Sequence, residues 1–317
     1  MPTADVNGVT VNYILEGSGS GDIIILVNGL ADDIATWDAQ APAYLEAGYR
    51  VLRYDNRGIG KTSKPAGPYT AELMADDLHA LLVDQKIDRF HLLGISMGGM
   101  ISQSYALKYP NGSGSGPQML SLSLCCTYAQ PTTFCSRMFS LWKDMSQRMS
   151  VQEVMRDVTL WAFTVPFFRD RPSELAEVEA AMRDLDMPVD AYLSQLNVIQ
   201  KFDTTKQLGE LKQQGKVLGN LPAGKVLVLG GEEDILIPVV LSRELAESIE
   251  GAQFLTSRGG HGCCVSSPRS ASAAIRLTVR NSGNSQMSSI KSLCNFSISN
   301  DKELPEHCCV AAILNFT

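Results

Sequence analysis

The segment Gly94-Ile95-Ser96-Met97-Gly98 constrains this chain more than any other. The apolar run Phe90-His91-Leu92-Leu93 leads into it, and a helical pattern from Met100 to Tyr109 follows. A serine placed so abruptly between a strand and a helix sits on a sharp, strained turn with its Oγ exposed. In such a turn the residues two before and two after the serine crowd each other, so only small side chains fit. Gly94 and Gly98 supply them, and Gly99 extends the allowance. The competing reading is an ordinary glycine turn, which the flanking strand and helix patterns disfavour.

The rest of the chain has the periodicity that such a turn requires. Ile23-Ile24-Ile25-Leu26-Val27 is a continuous apolar run ending in Asn28-Gly29, as expected of a strand buried on both faces of a parallel sheet. Further strands are expected at Tyr49–Tyr54, Met119–Cys126, Lys225–Leu229 and Phe254-Leu255. Helices are expected over Thr36–Ala47, over Leu73–Leu82 with Thr70 as cap, and over Leu241–Ile249. Strands alternating with helices imply βαβ units, hence an α/β fold with a mostly parallel central sheet flanked by helices. Residues 127–223 carry an amphipathic helical pattern with Trp142, Trp161, Phe163, Phe167 and Phe168. This predicts a helical cap inserted between late strands. The expected division is a core of residues 1–126 and 224–280, a cap of residues 127–223, and a tail of residues 281–317. That tail is Ser/Asn-rich, lacks periodicity and is expected to be poorly ordered. Asn111–Pro117 reads as a flexible Gly/Ser loop.

Composition narrows the function classes. Of 317 residues 44% are hydrophobic and 19% charged, with a net charge of −7, which suits a globular chain large enough to bury its own core. An acidic balance without a Lys/Arg block gives no footprint for nucleic acid, and no apolar run is long enough to span a membrane. The first residues lack the basic and apolar pattern of a secretory signal, so a cytoplasmic location is expected. The eight cysteines then read as thiols. Three adjacent pairs occur, Cys125-Cys126, Cys263-Cys264 and Cys308-Cys309, with no Cys-x-x-Cys spacing and no histidine cluster, so no metal is expected. Asn-x-Ser/Thr matches at Asn111, Asn295 and Asn315 carry no meaning in that compartment.

A serine nucleophile needs a base, and there are four histidines. His79 falls in a predicted helix, His91 in a strand and His307 in the tail. His261, in Gly259-Gly260-His261-Gly262 after the last predicted strand, is where a base can reach over the sheet edge. The imidazole needs an orienting carboxylate. Asp234 is chosen from Gly230-Gly231-Glu232-Glu233-Asp234, with Glu232 and Glu233 as competitors whose bland reading is surface charge. An oxyanion needs two backbone donors. The amide of Met97, just after the serine, and that of Leu30, in the loop after the first strong strand, are the candidates. Asn28 and Trp37 either shape that wall or simply pack, and Trp161 either lines a substrate pocket or packs the cap. Arg169 and Arg171 read as a solvated face before they read as contacts to an acidic substrate. Gly58-Ile59-Gly60-Lys61-Thr62 ends like a phosphate-binding loop, but Asp55 stands where that motif needs glycine. The glycines at 17–21 lack the strand–turn–helix setting of a dinucleotide site.

These residues resemble the α/β-hydrolase superfamily, over about residues 6–110 and again over 225–261. Tyr54-Asp55-Asn56-Arg57-Gly58-Ile59-Gly60-Lys61-Thr62 resembles its turn after the second core strand. Gly94-Ile95-Ser96-Met97-Gly98-Gly99-Met100-Ile101 is similar to 3-oxoadipate enol-lactonases and their relatives. The resemblance implies a triad of Ser96, Asp234 and His261, in the order that fold uses, and an oxyanion hole from the amides of Leu30 and Met97. It implies hydrolysis of a small-molecule ester or lactone without a cofactor. Asn28 stands where the superfamily often has histidine, which a backbone donor tolerates. Cleavage of a thioester or a carbon–carbon bond by the same triad is an alternative, and a non-catalytic binding protein of the same fold is another.

Overall fold

The computed structural model describes residues 1–114, 116–264, 303–304, 313–314 and 316–317. The strands are β1 (Thr3–Val6), β2 (Val9–Glu16), β3 (Ile23–Val27), β4 (Arg50–Tyr54), β5 (Arg89–Ile95), β6 (Gln118–Cys125), β7 (Val226–Gly231), β8 (Gln253–Ser257) and β9 (Glu303–Leu304). They form one sheet in the order β1-β2-β4-β3-β5-β6-β7-β8-β9. All pairings from β4 to β9 are parallel, and β1 and β2 join antiparallel at one edge. Every residue of β3 is buried, as its unbroken apolar run requires. Successive side chains point to opposite faces. Thus Ile23, Ile25 and Val27 join one apolar cluster while Ile24 and Leu26 join the other. Ile313 and Phe316 are buried in that second cluster.

Two local expectations need correction. The edge hairpin β1–β2 is absent from the periodicity reading, although Asn7-Gly8 at its turn, both with positive φ, is a strong hairpin signal. The single helix expected over Thr36–Ala47 divides into a 3-10 turn, Ile34–Trp37, and α1 (Ala41–Glu46). Asp33 caps the first by accepting from the Ala35 N–H. Pro42 opens the second, where its missing N–H is tolerated only in the first turn.

Three core helices follow: α2 (Ala71–Asp84), capped by Thr70, α3 (Met97–Lys108), and later α10 (Val239–Ser248). Between β6 and β7 lie α4 (Thr133–Ser146), α5 (Val151–Ala162), α6 (Val165–Asp170), α7 (Pro172–Arg183), α8 (Val189–Lys201) and α9 (Thr205–Gln213). Local chemistry starts several of them: Thr132 and Thr164 cap α4 and α6, and Ser150 forms a capping box with Glu153 at α5. Helix α5 buries Val151, Val154, Met155 and Val158, a stripe at helical spacing, whereas α7 buries no residue. The segment resembling a phosphate loop is a structural turn. Its Asp55 carboxylate accepts from the N–H groups of Lys61 and Ile34 and from Asn12 Nδ2. Arg57 there pairs with Asp77 at 2.5 Å, both buried. Among the described residues no helix is long and apolar enough to cross a membrane. Apart from residues 303–304, 313–314 and 316–317, the tail expected at 281–317 lies outside the described residues.

Candidate active site

The carboxyl ends of β3, β5, β6, β7 and β8 converge on one rim, the usual location of ligands in open parallel sheets. Ser96 follows β5 with φ 55 and ψ −121, a conformation a serine adopts only under constraint. Four contacts supply that constraint. The Ser96 N–H donates to Cys125 O at 2.9 Å, and Thr127 Oγ1 donates to Ser96 O at 2.9 Å. A methyl group on Gly94 would collide with the Gly98 carbonyl, and one on Gly98 with the Val27 carbonyl. The second collision matters most for chemistry. It shows the start of α3 pressed against the end of β3, so Met97 and the loop carrying Leu30 are neighbours by necessity.

The residues expected as acid and base come from the other side of the rim. His261 Nδ1 lies 2.8 Å from Asp234 Oδ2, and both residues are buried. Asp234 Oδ1 accepts from the N–H groups of Leu236 (3.0 Å) and Ile237 (2.8 Å), so the carboxylate is fixed at both oxygens. Glu232 is drawn away to Thr256 Oγ1 at 2.6 Å. Burial pushes the Asp234 carboxyl up, opposed by His261. Burial alone would favour neutral His261, but the Asp234 carboxylate, with smaller pulls from Cys126 and Asp32, outweighs it and raises the imidazole above its ordinary range. The end of α5 seals this loop: a methyl on Gly260 would lie 2.6 Å from Ala162 O, and one on Gly262 2.7 Å from Phe163 Cε1.

The other expected residues engage partners away from the Asp234–His261 pair. Asn28 is fully buried, with Nδ2 donating to Tyr54 O at 3.0 Å. Trp37 is 1% exposed within the second apolar cluster. Trp161 donates to Asp157 Oδ2 at 3.1 Å, the same atom that accepts from Trp142 Nε1. Arg169 pairs with Asp170, and Arg171 with Glu174.

Three features escape a reading of the sequence. The Ala31 N–H, next to Leu30, donates to Oε1 of the fully buried Gln195 in α8, whose Nε2 donates to Arg57 O, so α8 braces the loop that carries Leu30. Asp32 sits within the same loop: the point where Gly29 would carry a Cβ is 2.8 Å from Asp32 Oδ2 and 3.5 Å from Ser96 Cβ. Burial and the neighbouring Asp33 push the Asp32 carboxyl up to about 6, against the pull of His261 and the Gly29 N–H. Third, Cys126 Sγ, an Asp234 oxygen and a His261 nitrogen lie within 4.8 Å of one another. The available signal is position: Asp32 lies in the loop after β3, and Cys126 directly follows β6.

The chain belongs to the family defined by the alpha/beta hydrolase fold, whose model matches residues 22–268. Its relatives carry more than one activity name. A protein of Caulobacter segnis named for carbamate hydrolysis (RutD) is 24% identical over 271 residues, 84% of this chain and 95% of its own. The 3-oxoadipate enol-lactonase 2 of Acinetobacter baylyi is 24% identical over 279 residues, 88% of this chain and 96% of its own. The enol-lactonase structure from Burkholderia xenovorans LB400 superposes with a TM-score of 0.70 at 27% identity, covering 88% of this chain and 98% of its own. The chain is accordingly a hydrolase that resembles enol-lactonases.

Proposed function

We propose that this hydrolase cleaves a carboxylic ester or lactone of a small molecule through an acyl-enzyme, in a cytoplasmic setting and without a cofactor. Ser96 Oγ attacks the carbonyl carbon. With Nδ1 engaged by Asp234, Nε2 of His261 is the nitrogen left to receive the serine proton and return it to the leaving alkoxide. Asp234 holds the tautomer and balances the imidazolium. The amides of Leu30 and Met97 donate to the tetrahedral oxyanion, each contributing about 2.7–4 kcal/mol of transition-state stabilisation. Water then repeats the sequence on the acyl-enzyme.

The observation that carries this reading is the doubly anchored Asp234 bonded to His261 on the rim that also bears the constrained Ser96. The test is labelling by a fluorophosphonate probe. Wild type should react covalently and Ser96→Ala should not. Equal labelling of both, or none of a folded wild type, would sink the assignment. A carbamate is the second candidate, supported by the relatives named for that reaction. Relative kcat/KM on matched ester, lactone, thioester and carbamate substrates ranks them, with the ester or lactone expected first.

A further inference from the structure

We propose that Cys126, Cys263, Asp234 and His261 form a binding site for a thiophilic divalent cation such as Zn2+, and that filling it switches the hydrolase off. Binding itself is independent of the hydrolase reading; only the inhibition rests on it.

Four donors of suitable chemistry converge from three separate segments. Cys126 directly follows β6, Asp234 follows β7, and His261 and Cys263 share a 3-10 turn after β8. The two sulfurs lie 3.7 Å apart, although the residues are 137 positions apart in sequence. Sulfurs each about 2.3 Å from a tetrahedral metal lie about 3.8 Å from one another, so the pair already has the spacing of two ligands on one ion. The Cys126 sulfur, an Asp234 oxygen and a His261 nitrogen lie within 4.8 Å of one another, and the Cys263 sulfur adjoins this trio at Cys126. All four residues are buried, from fully for Cys126 to 9% exposed for His261. Two sulfurs, an imidazole nitrogen and a carboxylate oxygen form a set that soft or borderline metals prefer to magnesium or calcium.

The backbone holds these donors in place before any metal arrives. Cys126 has φ 47, and its N–H donates to Leu229 O at 2.8 Å, fixing the strand end. The Cys263 N–H donates to Gly260 O at 3.1 Å, so the second sulfur rides on the turn that positions His261. Binding releases the two thiol protons, and any proton on the ligating imidazole nitrogen, to solvent. An imidazole and a carboxylate held by a metal cannot exchange the serine proton. Sequence spacing could not indicate this set, because its cysteines belong to two different adjacent pairs, each too close-set to chelate as Cys-x-x-Cys does.

The test uses the full chain, reduced with a phosphine and stripped with a chelator. Titration with Co2+ should produce thiolate-to-cobalt charge-transfer absorption and tetrahedral d–d bands, both erased by Zn2+. Apparent affinity should fall at least tenfold in Cys126→Ser, Cys126→Ala and Cys263→Ser. It should persist in Cys135→Ser, whose buried thiol lies outside the set, and in Ser96→Ala. Circular dichroism identifies any variant that fails to fold, and the remaining ones decide. In the activity arm, Zn2+ should inhibit ester hydrolysis reversibly. The half-inhibitory concentration, taken against each variant's own metal-free rate, should rise at least tenfold in the same three variants. Absence of the charge-transfer band in folded wild type, or equal affinity in all cysteine variants, overturns the site. So does loss of two titratable thiols to a disulfide without cobalt uptake. Binding without inhibition overturns the switch. A wild type that binds through both cysteines but hydrolyses nothing keeps the site and sinks the hydrolase reading.

Discussion

The two halves of the rim that carries Ser96 and His261 are built by different means. On the Ser96 side, position follows from backbone steric limits: Gly94 against Gly98 within the turn, Gly98 against Val27 at the end of β3, and a positive φ at Ser96 itself. On the His261 side, position follows from long-range side-chain contacts: Asp234 at 27 residues' distance, Cys126 at more than a hundred, and the cap through Ala162 and Phe163. The serine side is therefore stiff and has one way to be right. The histidine side depends on other elements being in place, and it can be adjusted, titrated or blocked.

The largest effect expected from this difference comes from breaking the long-range side electrostatically. In Asp234→Asn the amide cannot hold the same tautomer or balance the imidazolium, so kcat should fall by about 10⁴-fold. The pH profile distinguishes this from mere disruption. Asp234 is what raises the His261 pKa, while burial pulls it down. The residual activity of Asp234→Asn should therefore show its acidic limb, measured as kcat/KM against pH, at lower pH than wild type. An unmoved limb would show that Asp234 does not set the base.

Breaking the stiff side should cost the fold instead. Gly98→Ala places a methyl against the Val27 carbonyl, which cannot rotate away, so about 3 kcal/mol or more of stability should be lost, the upper end of overpacking costs. Gly262→Ala meets Phe163 Cε1, the far end of a side chain that can turn, so about 1 kcal/mol or less is expected. Denaturant unfolding of the two variants compares them directly. Equal losses would remove the distinction between the two halves.

The same distinction explains what the sequence makes legible. Gly94, Ser96 and Gly98 announce the elbow because their constraint is local, and β3 through β8 announce themselves by apolar runs that only a doubly covered sheet can bury. The pairing of His261 with Asp234 was reachable because few histidines exist and the fold's chain order is fixed. Trp37 and Asn28 were ambiguous because residues near a site and residues under it share the same composition. Only packing separates them, and packing puts Trp37 in the core. Gln195 and Cys263 were illegible for the opposite reason. A glutamine in a cap helix and a cysteine in a loop acquire meaning only when Ala31 and Cys126 arrive from other segments.

Asp32 allows the finest comparison, because it stands on the stiff side yet acts on His261. Its folded pKa, about 6, lies above the value near 3.9 of an unfolded chain. Between those values the folded state binds the proton more tightly, so ionising Asp32 costs stability as pH rises from about 4 to about 6, and the cost persists above that. Asp32→Asn carries no such cost. It should match wild type most closely near pH 4 and exceed it near pH 7, by a margin that denaturant unfolding at the two pH values measures. Its acidic limb in kcat/KM should also move down, by less than in Asp234→Asn, because Asp32 contributes less to the His261 shift. A stability difference independent of pH would show that the carboxylate is not held at a cost. An unmoved limb beside a pH-dependent stability difference would confine its influence to the loop and leave His261 governed by Asp234.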